Sequence, residues 1–330
     1  MARFFKKALL LTLLPCFFFD PLFAVADDTK PLPQVTVPLT MEAFQKIPIG
    51  QVFVKESVYN NIFVKKDNAT TLGFAFTLRG EQFGQCKRVI GRPMYLALPY
   101  ARLMTLATVY AENSDSILDL GLGCGAASSY LRHYMPQSTV DSVELDPAII
   151  DIATKYFGVQ AGSGYTIHKS DARLFLKKNQ GPWDIILVDV FYGHHVPFHL
   201  MTREFFTLVS KRLAPGGAVA FNIAKFNNSR LFEAAIATLR SVFAGVDLYG
   251  ASTLLRHHSH VAIATNAPLS ETTLLNKAER IQARYGFSHP VTKLLKKRTE
   301  IASVTENDVV TLLTDDFAPV NILKMKKLKK

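Results

Sequence analysis

The sequence predicts an α/β protein, a Rossmann-like doubly wound sheet preceded by a small antiparallel β domain. Three observations carry this. From Ser116 onward, short apolar strands alternate with helical segments, the pattern of a parallel sheet with crossover helices. The first of those strands runs straight into a glycine-rich bend, Gly121-Leu122-Gly123-Cys124-Gly125. Ahead of it, residues 51–78 form β-rich runs separated by polar and turn residues.

The small sheet is expected from Val52-Phe53-Val54, Asn61-Ile62-Phe63-Val64 and Leu72-Gly73-Phe74-Ala75-Phe76. Apolar residues from Tyr95 to Tyr110 recur at helical spacing, with Pro99 as a flaw near the start. Strands then follow at Ile117–Leu120, Thr139–Val143, Tyr165–His168, Asp184–Val188 and Ala218–Ile223. Helices separate them at Ala126–Tyr134, Pro147–Phe157, Ala172–Lys177 and Arg203–Arg212, and Arg230–Phe243 comes after. The fourth strand is almost wholly apolar, as a central strand covered on both faces must be. Pro215-Gly216-Gly217 is a strong helix stop. Val246–Tyr249 and His260–Ala264 are read as a terminal antiparallel pair. The domains are accordingly a signal at 1–26, a linker at 27–50, the small β domain with its connecting helix at 51–112, and the nucleoside-binding domain at 113–330.

With 330 residues, 48% hydrophobic and 20% charged, the chain is globular rather than disordered and long enough for a large core. Arg3, Lys6 and Lys7 precede an apolar run of twelve, Ala8–Phe19, and then Ala24-Val25-Ala26. This is the order of a cleaved secretory signal, and the run is shorter than the about 20 residues that span a bilayer. Export is the expectation, with an uncleaved membrane anchor as the alternative. Cys16 would leave with the signal, so Cys86 and Cys124 remain. Two cysteines make no disulfide framework. Cys124, inside the glycine bend, is expected to fill space or touch a ligand, and a Cys86–Cys124 bridge stays open. The net charge is +11; loss of the signal removes three basic residues and one acid, leaving +9. The basic runs at Lys293–Arg298 and Lys324–Lys330 suit a solvated surface, with weak contact to an anionic membrane face as the sharper reading. No nucleic-acid-binding signature accompanies them, so no nucleic-acid partner is expected. A homodimer is the remaining macromolecular partner considered.

The chemistry concentrates at the strand ends. Gly121, Gly123 and Gly125 let the chain turn sharply and let a ligand approach the backbone, and the next helix presents free N–H groups. About 20 residues on, the spacing at which dinucleotide folds place a ribose-binding acid, stands Val143-Glu144-Leu145-Asp146-Pro147. Glu144 is the candidate for the ribose hydroxyls, and Asp146 is read as the cap of the helix that Pro147 opens. After the third strand, Asp171 can accept the exocyclic amine of adenine while Ala172 packs on the ring; a plain helix cap is the equal alternative for Asp171. Asp189 closes the fourth strand, at the edge that faces a ligand crevice in open sheets. His194, His195, His199, His257, His258 and His260 suggest a metal, but Pro197 breaks helical pairing and no further ligand is suitably spaced, so none is expected.

Together these segments resemble spermidine synthase and its relatives, the polyamine aminopropyltransferases. Residues 117–125, 143–147, 171–173, Trp183–Asp189 and Leu213–Asn222 carry the resemblance, and Val196–Phe206 with Leu313–Val320 are closer to the spermidine synthase-like branch. It implies a small N-terminal β domain, a methyltransferase-type Rossmann sheet, and S-adenosylmethionine or decarboxylated S-adenosylmethionine as donor. By family position it also implies Asp189 as the catalytic base and Tyr192 as a catalytic and acceptor contact, with binding of the cofactor amine as the alternative for Asp189; Asp315 and Asp316 are the further acids that could serve the acceptor. Two departures stand out. The family's loop acid is Cys124 here, and the second acid after the fourth strand is Tyr192. Both withdraw a carboxylate from cationic ligands, whose burial without a partner is costly. The expected function is aminopropyl transfer to an amine or another nucleophilic acceptor. The alternatives are a methyltransferase and an exported protein that keeps the fold without catalysis.

Overall fold

A computed structural model describes residues 41–78, 81–92, 94–191, 196–225, 230–251, 258–299 and 311–317. The signal expected at residues 1–26 lies outside them. Within the expected linker, helix α1 (Met41–Gln45) forms and strand β1 (Gly50–Glu56) begins. The buried Lys66 ammonium secures this turn by donating to the carbonyls of Phe44 (2.9 Å) and Ile47 (2.7 Å). With β2 (Asn61–Lys66), β3 (Thr71–Leu78) and β4 (Glu81–Val89), β1 makes a four-stranded antiparallel sheet in chain order. Ile62, Val64, Leu72 and Phe74 point to one side and are buried, the alternation on which a half-covered strand depends. The fourth strand had no such alternation to announce it; its residues from Glu81 to Gln85 are mostly polar or glycine.

The expected helix at Tyr95–Tyr110 is two short ones, α2 (Pro99–Met104) and α3 (Ala107–Tyr110). Pro99 starts the first, where a missing N–H costs nothing. The break follows Thr105, whose hydroxyl donates to the Arg102 carbonyl at 2.7 Å and competes with the helical ladder.

The large sheet then assembles from β5 (Ser116–Leu120), β6 (Thr139–Glu144), β7 (Tyr165–Lys169), β8 (Trp183–Val188) and β9 (Leu213–Lys225), all parallel. β10 (Gly245–Ala251), β11 (His258–Thr265) and the short β12 (Arg298–Thr299) extend it antiparallel. The order is β12-β10-β11-β9-β8-β5-β6-β7. β9 starts five residues before the expected Ala218, because Pro215-Gly216-Gly217 is absorbed as an irregularity in its pairing with β8 rather than ending the strand. Helices cover both faces. Ile117, Ile185 and Leu187 pack under α3, α4 (Ala126–Tyr134) and α9 (Glu271–Tyr285). Leu118, Ile186 and Val188 pack under α6 (Ala172–Lys178), α7 (Arg203–Arg212) and α8 (Arg230–Arg240). The small sheet lies on α5 (Pro147–Phe157), through Ile149, Ile152 and Tyr156.

Strand order reverses between β5 and β8: β6 and β7 lie on one side, β8 and β9 on the other. Such a switch point leaves a crevice at the carboxyl ends of the two strands, where open α/β sheets bind ligands.

Candidate functional site

A cavity of about 150 Å³ occupies that crevice, bounded by the glycine bend, the ends of β6 and β8, the starts of α2 and α6, and β3 and β4 of the small sheet. The bend is shaped by one close approach. A Cβ on Gly121, at φ +96°, would stand 2.3 Å from the Asp189 carbonyl oxygen, so no side chain fits there. Gly123 has nothing within 4 Å of its missing Cβ and leaves its backbone open to a ligand.

Glu144 ends β6 and turns toward this bend. Its carboxylate accepts from the Asp146 N–H at 2.9 Å and the Gly123 N–H at 3.3 Å. A carboxylate offers about four acceptor sites, so capacity remains for two hydroxyl donors in the cavity it lines. Burial raises its pKa to about 7. Asp146 caps α5, accepting from Ala148 N–H at 2.9 Å, and takes the Ser57 hydroxyl at 2.5 Å. Asp171 caps α6 through Leu174 N–H at 2.8 Å and also faces the cavity beside Ala172. Its other oxygen lies 3.3 Å from His199 Nε2, a contact that holds its pKa below the ordinary value. Cap and cavity wall are thus the same residue.

Asp189 follows β8, with its N–H donating to the Leu120 carbonyl at 2.8 Å. Its carboxylate accepts from Asn222 Nδ2 at 2.8 Å and lies near the Tyr100 hydroxyl, which donates to the Gln85 carbonyl at 3.0 Å. Burial nevertheless raises its pKa to about 6. Cys124 lines the cavity and is joined to Cys86 by a disulfide that ties the glycine bend to β4. The bridge that the sequence left open is formed, so Cys124 meets the cavity as a disulfide and not as a free thiol.

Two acids expected on the acceptor side are not among the described residues that line the cavity. Asp315 does not line the cavity; Arg173 holds its carboxylate at 2.8 and 2.5 Å, and the Thr202 hydroxyl donates to it at 2.7 Å. A bidentate guanidinium satisfies the charge where it stands. Asp316, its exposed neighbour, is absent from the lining as well. Tyr192 lies outside the described residues, as do His194 and His195.

The cavity also contains residues not singled out from the sequence: Asp119, Tyr100 and Gln85. Asp119 had a legible signal, an acid inside an otherwise apolar strand two residues before the bend. Tyr100 and Gln85 had none, since only the packing of α2 and β4 over the crevice brings them in. The charge of the lining is one-sided. Asp119, Glu144, Asp146, Asp171 and Asp189 contribute five carboxylates, and no Lys or Arg is among the described lining residues. Such a wall suits a cationic adenosyl ligand and penalises an anionic one. No group of three or more His, Cys, Asp or Glu among the described residues could hold a metal ion.

Known proteins resemble this chain in sequence and fold. Residues 100–262 match the spermine/spermidine synthase domain. The chain is 30% identical over 284 residues to a polyamine aminopropyltransferase of Vibrio vulnificus, covering 84% of this chain and 93% of that one. It resembles the crystal structure of a probable spermidine synthase from Corynebacterium glutamicum, at 25% identity and a TM-score of 0.60, over 74% of this chain and 90% of that one. The spermidine synthase of Thermotoga maritima has the same fold, with a TM-score of 0.60 at 14% identity over 76% and 84% of the two chains. An identity of 30% across 84% of this chain and 93% of the Vibrio vulnificus relative, with the domain match over residues 100–262, places this chain in the spermine/spermidine synthase family.

Proposed function

We propose that the protein transfers an aminopropyl group from decarboxylated S-adenosylmethionine to an amine. The observation that carries this is the cavity wall of five acids, with no lysine or arginine among its described residues, set at the glycine bend. The donor brings an activated carbon on a cationic sulfur and an ammonium at the end of its arm. Glu144 takes the ribose hydroxyls, Asp171 the adenine amine, and the open backbone at Gly123 lies along the sulfur. Asp189 accepts the proton that the acceptor amine must lose before its lone pair can attack. A base with a pKa of about 6 is better matched to that proton than an ordinary aspartate. One C–N bond forms, one C–S bond breaks, and the sulfur leaves as the thioether methylthioadenosine. Alignment and exclusion of water supply the rest of the rate.

Methyl transfer from intact S-adenosylmethionine is not favoured, because its α-carboxylate would enter a wall of like charge with no lysine or arginine among the described lining residues to meet it. The relative's name supports a polyamine as the acceptor. The test is an assay of purified protein with decarboxylated S-adenosylmethionine and putrescine or spermidine, following methylthioadenosine release by mass spectrometry. Release that depends on the amine is expected. Its absence, with methyl transfer from the carboxylated donor instead, would overturn the reading. We further propose that the protein works after export, which the Cys86–Cys124 bridge supports, since disulfides persist in oxidising compartments.

A further inference from the structure

Within the cavity two acids have no role in the scheme above: Asp146, which caps α5 and takes the Ser57 hydroxyl, and Asp119. Asp119 sits on β5 at 3% exposure, two residues before the glycine bend, and lines the cavity floor. The partners of its carboxylate are neutral hydroxyls, Ser142 at 3.2 Å and Ser128. Both serines also hydrogen-bond to the Tyr165 hydroxyl, at 2.9 and 2.8 Å. None of these groups carries a positive charge, and among the described residues no ion pair to Asp119 is formed. A buried carboxylate without a cation is expensive in a ligand-free protein, and burial accordingly raises its pKa to about 7.

Its position argues for a ligand rather than for the sheet. Asp119 and Asp189 lie at the ends of adjacent strands, and after burial itself the charge of both raises the pKa of the Tyr100 hydroxyl. A second unsatisfied group stands at this end: Asn222, 7% exposed, donates its amide to Asp189 and leaves its buried Oδ1 without a partner. The nucleoside end of the cavity, at Glu144 and Asp171, lies across the bend at the ends of β6 and β7. The floor end therefore offers an excess of acceptors over donors, the reverse of what a carboxylate needs and the match for an ammonium with three donors.

We propose that Asp119 selects the donor by taking up the terminal ammonium of its three-carbon arm, leaving Asp189 to serve the acceptor amine. This rests on the reading of the cavity as an aminopropyl donor site. The ammonium adds the cation that Asp119 lacks, so the arm, and not only the nucleoside, supplies affinity. A purely structural aspartate, held by Ser142 and Ser128 to brace the sheet, would make no distinction between ligands with and without the arm.

Calorimetry with two thioethers isolates the arm, because neither carries a charge on sulfur. One is methylthioadenosine; the other is S-adenosyl-3-thiopropylamine, which adds only the aminopropyl chain. Wild-type protein is expected to bind the aminopropyl compound at least tenfold more tightly. In Asp119→Asn the ratio should fall to about twofold or less while methylthioadenosine affinity stays within twofold of wild type. Asp119→Ser gives the same reading should the amide disturb folding. A wild-type ratio near one would overturn the proposal, as would equal losses for both ligands in the variants. A ratio that collapses in Asp189→Asn but survives in Asp119→Asn would place the ammonium on the other acid and also overturn it. Failure of wild-type protein to bind either thioether would instead sink the donor-site reading itself.

Discussion

Glu144 shows how one side chain can be both brace and binding group. Two of its acceptor sites are spent on the N–H groups of Gly123 and Asp146, which fixes its direction, and the others face the cavity. Glu144→Gln keeps one acceptor oxygen but loses the charge and turns the other acceptor into a donor. Hydrogen bonds to charged groups are worth about 1.5–3 kcal/mol, so methylthioadenosine affinity should fall roughly tenfold to hundredfold, read by calorimetry; an unchanged affinity would refute the ribose assignment. The position of Glu144 was legible because strand, glycine bend and acid stand at a fixed spacing along the chain. The partner of Asp315 is not legible for the opposite reason. Its partner Arg173 is 142 residues away in sequence, and no local pattern shows that a carboxylate is already neutralised by so distant a guanidinium.

At the level of elements, the glycine bend is held from two sides. α5 fixes Asp146 and Glu144 beneath it, and the Cys86–Cys124 bridge ties it to β4. The bridge closes a loop with a sequence separation of 38, for which chain-entropy reasoning gives a stabilisation of about 2–4 kcal/mol. The double variant Cys86→Ser/Cys124→Ser should lose about that much in a urea titration; equal stability of variant and wild type would show that the bridge adds nothing. Elements with strong alternation or helical period, such as β2, β8 and α5, could be read directly. β4 could not, since its mostly polar start gives no period and only its pairing with β3 makes it a strand. The sequence predicts one helix where α2 and α3 form because apolar spacing continues through Thr105, whereas the backbone is broken by a hydroxyl that the period does not register.

Across the whole molecule, the concentration of acids in one cavity sets how stability responds to pH. Burial raises the pKa values of Asp119 and Glu144 to about 7 and of Asp189 to about 6. Their unfolded values lie near the usual carboxylate range of about 4. Folding thus favours the protonated forms, and the stability this gives is lost as pH rises through the folded values. Asp171 and Asp315, held below the ordinary value, act in the opposite sense, but only at lower pH. The melting temperature of ligand-free protein should therefore fall between about pH 5 and pH 8, and a cationic adenosyl ligand should reduce the fall. Scanning calorimetry at several pH values checks both; a flat profile without ligand would contradict the buried-acid account. Export makes a separate prediction, that the chain recovered from an expressing cell begins at Asp27, as N-terminal sequencing would show; a chain retaining Met1 would contradict cleavage. By itself the sequence determined the parallel α/β sheet, the glycine bend and the acids at the strand ends, because each is written in spacing over a few neighbouring residues. Only the tertiary structure decided which acids share the cavity, that Cys124 is bonded to Cys86, and that Asp119 stands on the floor without a cation. Those outcomes depend on distances between residues far apart in the chain, and they are fixed when both sheets and their helices pack together.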